Sequence, residues 1–356
     1  MNRAYIVLGG CGAMGRIAVR DLFATDRRAR ITIADLDGAG ARTAARALRG
    51  RRVAGVRADA SDAAGLARVL RGHDVVINCT QHHFNLTVMQ AALAAGCHYV
   101  DLGGLFTWTR KQLRLDALFR RAGLVAIPGM GGSPGITNVL ARWAAERLER
   151  VDDVRVRSCW HDPEAKAGDF SFAFSPQTVM EELTLTSYAW RGGRFIQDKP
   201  RSRWERRRFP APFGTVWCLA TRHSEVATLP ASLGARRVDF MLGYERGFVR
   251  EFERRWKAGW RLHEFKPLVA SRARPRDLEL LRVEVDGRER ATSRRVRVTA
   301  DCIARAKPAW HASAGDIDTG CPPSIVAQML ARGELPGAGV YPPERIVPVA
   351  AFIRAL

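Results

Sequence analysis

Ala4-Tyr5-Ile6-Val7-Leu8-Gly9-Gly10-Cys11-Gly12-Ala13-Met14-Gly15 is the segment from which the rest of the chain can be read. A short apolar run ends in G-x-G-x-x-G at Gly10, Gly12 and Gly15, and a helix-compatible segment follows. In a dinucleotide site the first glycine permits the tight strand-to-helix turn. The second lets the backbone approach the pyrophosphate, and the third lets helix and strand pack closely. The pyrophosphate then sits on the free N–H groups of the helix N-terminus.

The glycine pattern alone is weak evidence, and its surroundings strengthen it. Ile31-Thr32-Ile33-Ala34-Asp35 reads as a second strand, and Asp35 lies twenty residues after Gly15. That spacing places a carboxylate where it accepts hydrogen bonds from the adenosine ribose hydroxyls. A carboxylate there repels a 2′-phosphate, so NAD is favoured; Arg42 nearby leaves NADP open. The alternative for Asp35 is an ordinary acid at a strand end.

A regular rhythm follows. Residues 52–57 read as a strand, Ala58-Asp59-Ala60-Ser61-Asp62 as a turn with a helix N-cap, and a helix runs to Arg71. Asp74-Val75-Val76-Ile77-Asn78 is a strand, Phe84 to Ala95 a helix closed by Gly96, and His98-Tyr99-Val100-Asp101 a strand. A helix over Thr109 to Arg121, closed by Gly123, precedes the strand Leu124 to Ile127. Short apolar strands alternating with helices mean βαβ units and a parallel sheet. Six strands precede Pro128, the complement of a dinucleotide-binding domain.

With 356 residues, 47% hydrophobic and 26% charged, the chain has the composition of two globular domains. No apolar stretch reaches the length of a membrane span, and no signal peptide is expected at a start already occupied by a strand and a cofactor motif. Seven cysteines, widely spread and without a C-x-x-C pair, argue against zinc and against a disulfide framework. A reducing, cytoplasmic compartment is the expectation. The formal charge of +21 is carried almost wholly by Arg dispersed through every segment. That dispersal, rather than one basic element, speaks against nucleic acid as the main partner. Residues 201–208 read as a solvated loop or edge. Phe248, Phe252, Trp256 and Trp260 form one apolar stripe of an amphipathic helix.

Past Ile127, Pro128-Gly129-Met130-Gly131-Gly132-Ser133-Pro134-Gly135 leads into a helix over Ile136 to Glu149. Ser133 is the expected N-cap with Pro134 at the first helical position, an arrangement that offers bare N–H groups to an anion. The alternative is a plain linker between domains. From Val151 the pattern changes to strands with period-2 alternation: Val154 to Arg157, Phe170 to Phe174, Arg237 to Leu242, Leu278 to Val285 and Arg295 to Thr299. With a turn at Asp286-Gly287, they suggest an antiparallel sheet. Ser175-Pro176 opens a helix carrying Glu181 and Glu182, and Cys321-Pro322-Pro323-Ser324 starts a helix over Ile325 to Arg332.

These motifs, taken in order, resemble the saccharopine dehydrogenase-like family of amino-acid oxidoreductases. The resemblance is carried by residues 10–15, 58–62, 74–78, His98-Tyr99-Val100-Asp101-Leu102-Gly103-Gly104, Gly132 to Asn138, His223-Ser224-Glu225 and Gly339 to Glu344. Within the family the chain looks most like the lysine 6-dehydrogenase and carboxynorspermidine dehydrogenase branches. The resemblance implies an α/β fold: a Rossmann-type parallel sheet domain with an inserted α+β substrate and dimerisation domain whose sheet is largely antiparallel. Residues 1–132 then form the dinucleotide-binding domain, 133–304 the inserted domain, and 305–356 the segment that returns to the first. A homodimer is implied as well. Ser133 stands where saccharopine-forming members carry an Asp, which points away from saccharopine itself.

The implied activity is an NAD(P)-dependent interconversion of amine and imine on an amino acid or related amine. Hydride transfer of this kind needs a base near neutrality and cationic or N–H groups for an α-carboxylate. His223, whose basicity Glu225 can raise from a shared strand face, Asp101 and His83 are the candidates for acid–base work. Gly132, Ser133, Pro134, Gly135, Asn138, Glu182 and Glu225 are expected at the substrate. Gly10, Gly12, Ala13, Met14, Gly15, Asp35, Asp59, Asn78, Cys79, Thr80 and Gly103 are expected at the cofactor. No metal site is expected. A reductase of an enoyl or keto group, or a non-catalytic NAD(P)-binding scaffold or sensor, are the rival readings.

Overall fold

The computed structural model describes residues 3–103, 105–164, 175–265 and 275–356. The chain divides into two units, Met1–Val139 with Asp318–Leu356, and Leu140–Ile317. It passes between them within two helices, Ile136–Ala145 and Ala314–Ala331.

The first unit alternates strands and helices: β1 (Ala4–Leu8), α1 (Ala13–Thr25), β2 (Arg30–Asp35), α2 (Gly38–Ala47), β3 (Val53–Arg57), α3 (Ala63–Leu70), β4 (Val75–Asn78), α4 (Asn85–Ala95), β5 (His98–Asp101), α5 (Leu105–Leu113), α6 (Asp116–Arg121), β6 (Val125–Ile127) and α7 (Ile136–Ala145). A seventh strand, Gly339–Val340, comes from the end of the chain. Every pairing is parallel, in the order Gly339–Val340, β6, β5, β4, β1, β2, β3. The order reverses at β1, the place where open α/β sheets bind ligands beyond the carboxyl ends of their strands. Ile6, Leu8, Val76, Val88, Met89, Tyr99 and Phe119 belong to one continuous apolar core.

Three boundaries differ from the sequence reading. The helix expected over Thr109 to Arg121 is two helices, because the N–H groups of Arg114 and Leu115 bond three residues back to Lys111 and Gln112. The tighter turn lets Leu113 and Leu115 both pack on the core. The helix expected to start at Ile325 starts at Ala314 and carries Pro322 and Pro323 inside it. Packing outweighs the missing N–H groups: a Cβ on Gly320 would fall 2.6 Å from Ile17 Cβ, and Ser324 Oγ donates to Asp21 at 2.6 Å. The helix expected to reach Glu149 stops at Ala145, because Leu148 already pairs with Glu289.

The second unit holds β7 (Leu148–His161), α8 (Pro176–Thr184), β8 (Ser187–Arg191), β9 (Arg194–Asp198), β10 (Trp204–Arg208), β11 (Thr215–Ala220), α9 (Glu225–Leu233), β12 (Arg237–Gly243), α10 (Arg246–Lys257), α11 (Leu262–Phe265), β13 (Leu278–Glu289) and β14 (Arg295–Arg305). Its main sheet runs β10-β11-β12-β7-β13-β14, with β8 on β12 and β9 on β8. All its pairs are antiparallel except β12 with β7. The turn expected at Asp286-Gly287 is a bulge inside β13 instead, and the strand reverses over 290–294. Gly287 is required there, since a Cβ would lie 2.1 Å from Arg150 O. Residues 201–208 end in an edge strand. The aromatic stripe buries Phe248 and Phe252 on α10, but Trp260 lies beyond the helix, past a Gly259 with φ +93°. The strand expected over Phe170 to Phe174 falls outside the described residues. Among the described residues no helix is long and apolar enough to cross a membrane, and no group of His, Cys, Asp and Glu is arranged for a metal.

Candidate active site

At the carboxyl end of β1 the chain turns into α1 through Gly9 to Gly12. Cys11, Gly12 and Ala13 are exposed, Gly12 caps α1 without a side-chain bond, and the first turn of α1 has no acid. A Cβ on Gly15 would meet Gly9 O at 2.1 Å, and one on Gly10 would meet Ile33 Cγ2 at 2.8 Å. These two glycines are therefore fixed by packing. Gly12 faces open space but for Gly9 O at 3.2 Å. The result is an exposed helix N-terminus with its positive end uncapped, a seat for an anion. Asp35 ends β2 beside this turn, and its Oδ2 accepts the Cys11 N–H at 3.0 Å. Asp59 follows β3; Ser61 donates to it through N–H and hydroxyl and holds its carboxyl below the usual range.

The carboxyl ends of β4, β5 and β6 are joined by a buried polar web. Asp101 Oδ1 accepts the N–H groups of Gly103 and Gly129, each at 2.7 Å. Its Oδ2 accepts Tyr99 Oη at 2.6 Å and Gln112 Nε2 at 2.5 Å. Burial pushes the Asp101 carboxyl upward in pKa, and these donors pull against that shift. Asn78 Nδ2 donates to Tyr99 Oη and to Asn85, while its Oδ1 accepts the N–H and hydroxyl of Thr80. Both oxygens of Asp101 and both ends of Asn78 are thus engaged inside the fold. The web makes the side chains of Asp101 and Asn78, expected at substrate and cofactor, internal partners of these loops. Cys79 follows in the same loop, and burial pushes its thiol up to about 12, which leaves it inert.

The glycine-rich loop after β6 differs from expectation. Its N–H groups at the helix start are not bare: Gly135 N–H goes to Asn138 Oδ1, Ile136 N–H to Gly131 O, and Thr137 N–H to Gly132 O. Ser133 and Pro134 lie before the helix rather than at its cap. The loop closes on itself because Gly135, at φ +126°, lets Gly131 approach to where a Cβ would sit 2.1 Å from its oxygen. Pro134 packs against both Gly103 and Gly129. Asn138 Nδ2 donates to Glu344 Oε2 at 2.8 Å, both side chains being buried. Gly132, Pro134, Gly135 and Asn138 are buried and only Ser133 is partly accessible. His83 is exposed on a single turn, His82–Phe84, with its ring 4.0 Å from that of Phe84.

In the second unit, a protonatable cluster lies between α8, α9 and β12. His223 is buried and stacks on Phe240 at 3.7 Å between ring centroids. Its Nδ1 lies 2.6 Å from Glu225 Oε2 and its Nε2 3.8 Å from Glu182 Oε1. Tyr244 Oη donates to Glu182 Oε2 at 2.8 Å. Glu225 sits in the first turn of α9, where the helix dipole favours a carboxylate. With Nδ1–H held by Glu225, Nε2 is the position that exchanges a proton. Burial lowers the imidazole's pKa, but Glu225 and Glu182 outweigh it and the net shift is upward. Burial pushes Glu182 up to about 7 against the opposing effects of His223 and Tyr244. His223, Glu225 and Glu182 were all expected from the sequence, and the structure brings them together.

Two family models match in succession: the saccharopine dehydrogenase NADP binding domain over residues 6–127 and the saccharopine dehydrogenase C-terminal domain over 131–356. The chain belongs to the saccharopine dehydrogenase family. Carboxynorspermidine synthase of Vibrio alginolyticus is 26% identical over 197 residues, which are 50% of this chain and 45% of that protein. Carboxyaminopropylagmatine dehydrogenase of Synechocystis is 24% identical over 193 residues, 51% of this chain and 47% of that one. The matched stretch thus spans about half the length of these curated relatives. Saccharopine dehydrogenase (L-Glu forming) of Saccharomyces cerevisiae shares the fold, with a TM-score of 0.75 and 14% identity over 99% of this chain and 96% of that one.

NAD(P) is the cofactor of this saccharopine dehydrogenase family member. The residues present fit it, by the uncapped start of α1 and the open side of Gly12. Gly10 to Gly15 would hold the pyrophosphate and Asp35 the adenosine ribose. Tyr99, Gln112 and Glu344, which organise the site's loops, were not singled out in the sequence. Tyr99 and Glu344 lie within stretches that carry the family resemblance, but their spacing assigned them no role, and Gln112 lies in no motif.

Proposed function

We propose that the protein is an NAD(P)-dependent dehydrogenase that interconverts an amine and an imine on an amino acid or a polyamine-related amine. The observation that supports this reading best is the His223–Glu182–Glu225 cluster, which holds an exchangeable proton near neutrality. Oxidation of an amine requires loss of a proton from the ammonium before hydride can leave. Glu182 Oε1 and His223 Nε2 are the atoms that take it, and Glu225 keeps the imidazole in the right tautomer. Tyr244 fixes the Glu182 carboxyl by its hydroxyl. When bound, the nicotinamide supplies the hydride acceptor. Asp101 and Asn78 act by positioning: they fix the loops of Thr80, Gly103 and Gly129. The first unit is the nucleotide-binding domain and the second unit the substrate domain. The names of the relatives support including carboxylated polyamines among the substrates tested. A homodimer in the cytoplasm completes the proposal, and light scattering on the purified protein tests its oligomeric half.

The decisive assay follows absorbance of reduced nicotinamide with lysine, ornithine, diaminopropane-type amines and keto acids, using NAD and NADP in parallel. Amine-dependent formation of reduced cofactor is expected, and His223→Gln should lower kcat by about 10²- to 10⁴-fold. No turnover across the whole panel would overturn the reading.

A further inference from the structure

The turn between β2 and α2 carries two acids with one residue between them, Asp35 and Asp37. In a dinucleotide site the acid at the end of the second strand meets the 2′-oxygen of the adenosine ribose, so any group on that oxygen enters the same turn. A 2′-phosphate there needs backbone N–H donors at the start of the helix, or a basic side chain beside them.

The donors of this turn are already engaged. Asp35 Oδ1 accepts the Asp37 N–H at 3.2 Å, while its Oδ2 accepts the Cys11 N–H at 3.0 Å. Asp37 is the N-cap of α2, and its Oδ1 accepts the N–H groups of Ala39 at 3.1 Å and Gly40 at 3.0 Å. The turn is shaped around this carboxylate, since a Cβ on Gly40 would lie 2.4 Å from Asp37 Oδ2. The N–H groups of Asp37, Ala39 and Gly40 are thus held by two carboxylates of the chain itself. Leu36, between the two acids, is 60% exposed and brings no charge.

The nearby arginines do not reverse this. Arg57 ends β3 opposite Asp35 in the register, but it lines a cavity of about 340 Å³ against α3, together with Asp59 and Asp62. There its field adds to the stronger bonds from Ser61 that hold the Asp59 carboxyl below its usual range. Arg42 is exposed and lies one turn into α2, beyond the capped N–H groups.

We propose that Asp37 is a specificity-determining residue: its carboxylate fills the anion seat at the start of α2 and, with Asp35, restricts the nucleotide-binding domain to NAD. A phosphate brought into the turn meets two negative charges and finds the N–H groups of Asp37, Ala39 and Gly40 occupied. The ribose hydroxyls of NAD, by contrast, are donors, and carboxylates accept from them.

The test is calorimetry on the intact protein with NAD and NADP, which differ only in the 2′-phosphate. The wild-type protein should bind NAD at least about tenfold more tightly than NADP. Asp37→Gly removes the carboxylate and frees two N–H groups at a cap position that tolerates glycine. The preference should then fall by about tenfold, chiefly through tighter binding of NADP. Asp37→Asn keeps the cap and removes only the charge; it serves if the glycine variant does not fold, and a smaller shift in the same direction is expected. A wild-type protein that binds both dinucleotides equally, or neither, overturns the inference. So does an unmoved preference, or an equal loss for both dinucleotides, which would make Asp37 a helix cap and nothing more. Circular dichroism checks that each variant is folded. Amine turnover plays no part in this readout, so a failure of the amine-dehydrogenase reading leaves the result standing.

Discussion

His223 and Glu182 hold their proton by opposite routes. The imidazole is drawn toward its charged form by two carboxylates, and the Glu182 carboxyl is drawn toward its neutral form by burial. Both pKa values are raised in the fold, so the native protein binds protons more tightly than the unfolded chain. Stability from Glu182 is then present below its unfolded value near 4.5 and is lost as pH rises through about 7. His223, whose imidazole is also raised, adds to the same loss as pH rises past its unfolded value. Glu182→Gln should flatten the fall in the urea unfolding midpoint between these pH values. A slope equal to that of the wild type would sink the assignment. Asp35 offers a second residue-scale prediction. Removing its charge in Asp35→Ser should shift the ratio of kcat/KM for NADP over NAD upward by about tenfold, a change of about 1.4 kcal/mol. An unchanged ratio would mean that Asp35 only tethers the Cys11 N–H.

At the scale of elements, the parallel sheet positions its loops through one buried carboxylate, Asp101, which gathers donors from β5, α5 and the loops after β5 and β6. The mixed sheet is held on one face by a different device, a lattice of arginines and acids. Arg157 is its centre: it is buried, and it donates to Asp239 and Glu205, each at 2.7 Å. Paired charges taken out of water contribute little beyond an apolar pair, but removing one partner strands the other. Arg157→Ala should therefore cost about 3–5 kcal/mol in urea unfolding. A loss under about 1 kcal/mol would show that Arg191 and Arg203 already satisfy Asp239. The arginine-rich composition, ambiguous in the sequence, has a structural use on this face.

For the whole molecule, the first unit takes its strands from both ends of the chain, and the second is inserted between them. Within the first unit a Cβ on Gly132 would lie 2.9 Å from Asp318 Oδ1, so the two cut points belong to neighbouring segments. Joining Val139 to Asp318 through about six Gly/Ser residues, which span roughly 13 Å, should yield a chain that folds and binds NAD(P) without turning over an amine. Calorimetry with the reduced cofactor checks this. A folded product that does not bind cofactor would show that the nucleotide site needs the second unit.

The sequence by itself determined the parallel sheet, its turn at Gly10 to Gly15, the acid at Asp35, and the His223–Glu225 pair. Each of these is local: a glycine spacing, a strand period, or two residues with one between them, which meet at the start of α9 rather than on the strand face that their spacing suggested. Only the tertiary structure decided that Asp101 and Asn78 face inward and that the Ser133 loop bonds its own N–H groups. It also decided that Pro322 and Pro323 sit inside a helix, and that Glu182 joins His223 from forty-one residues away. Those outcomes depend on which groups meet across the fold and on which buried donors remain to be satisfied, and neither is written in the spacing of neighbouring residues.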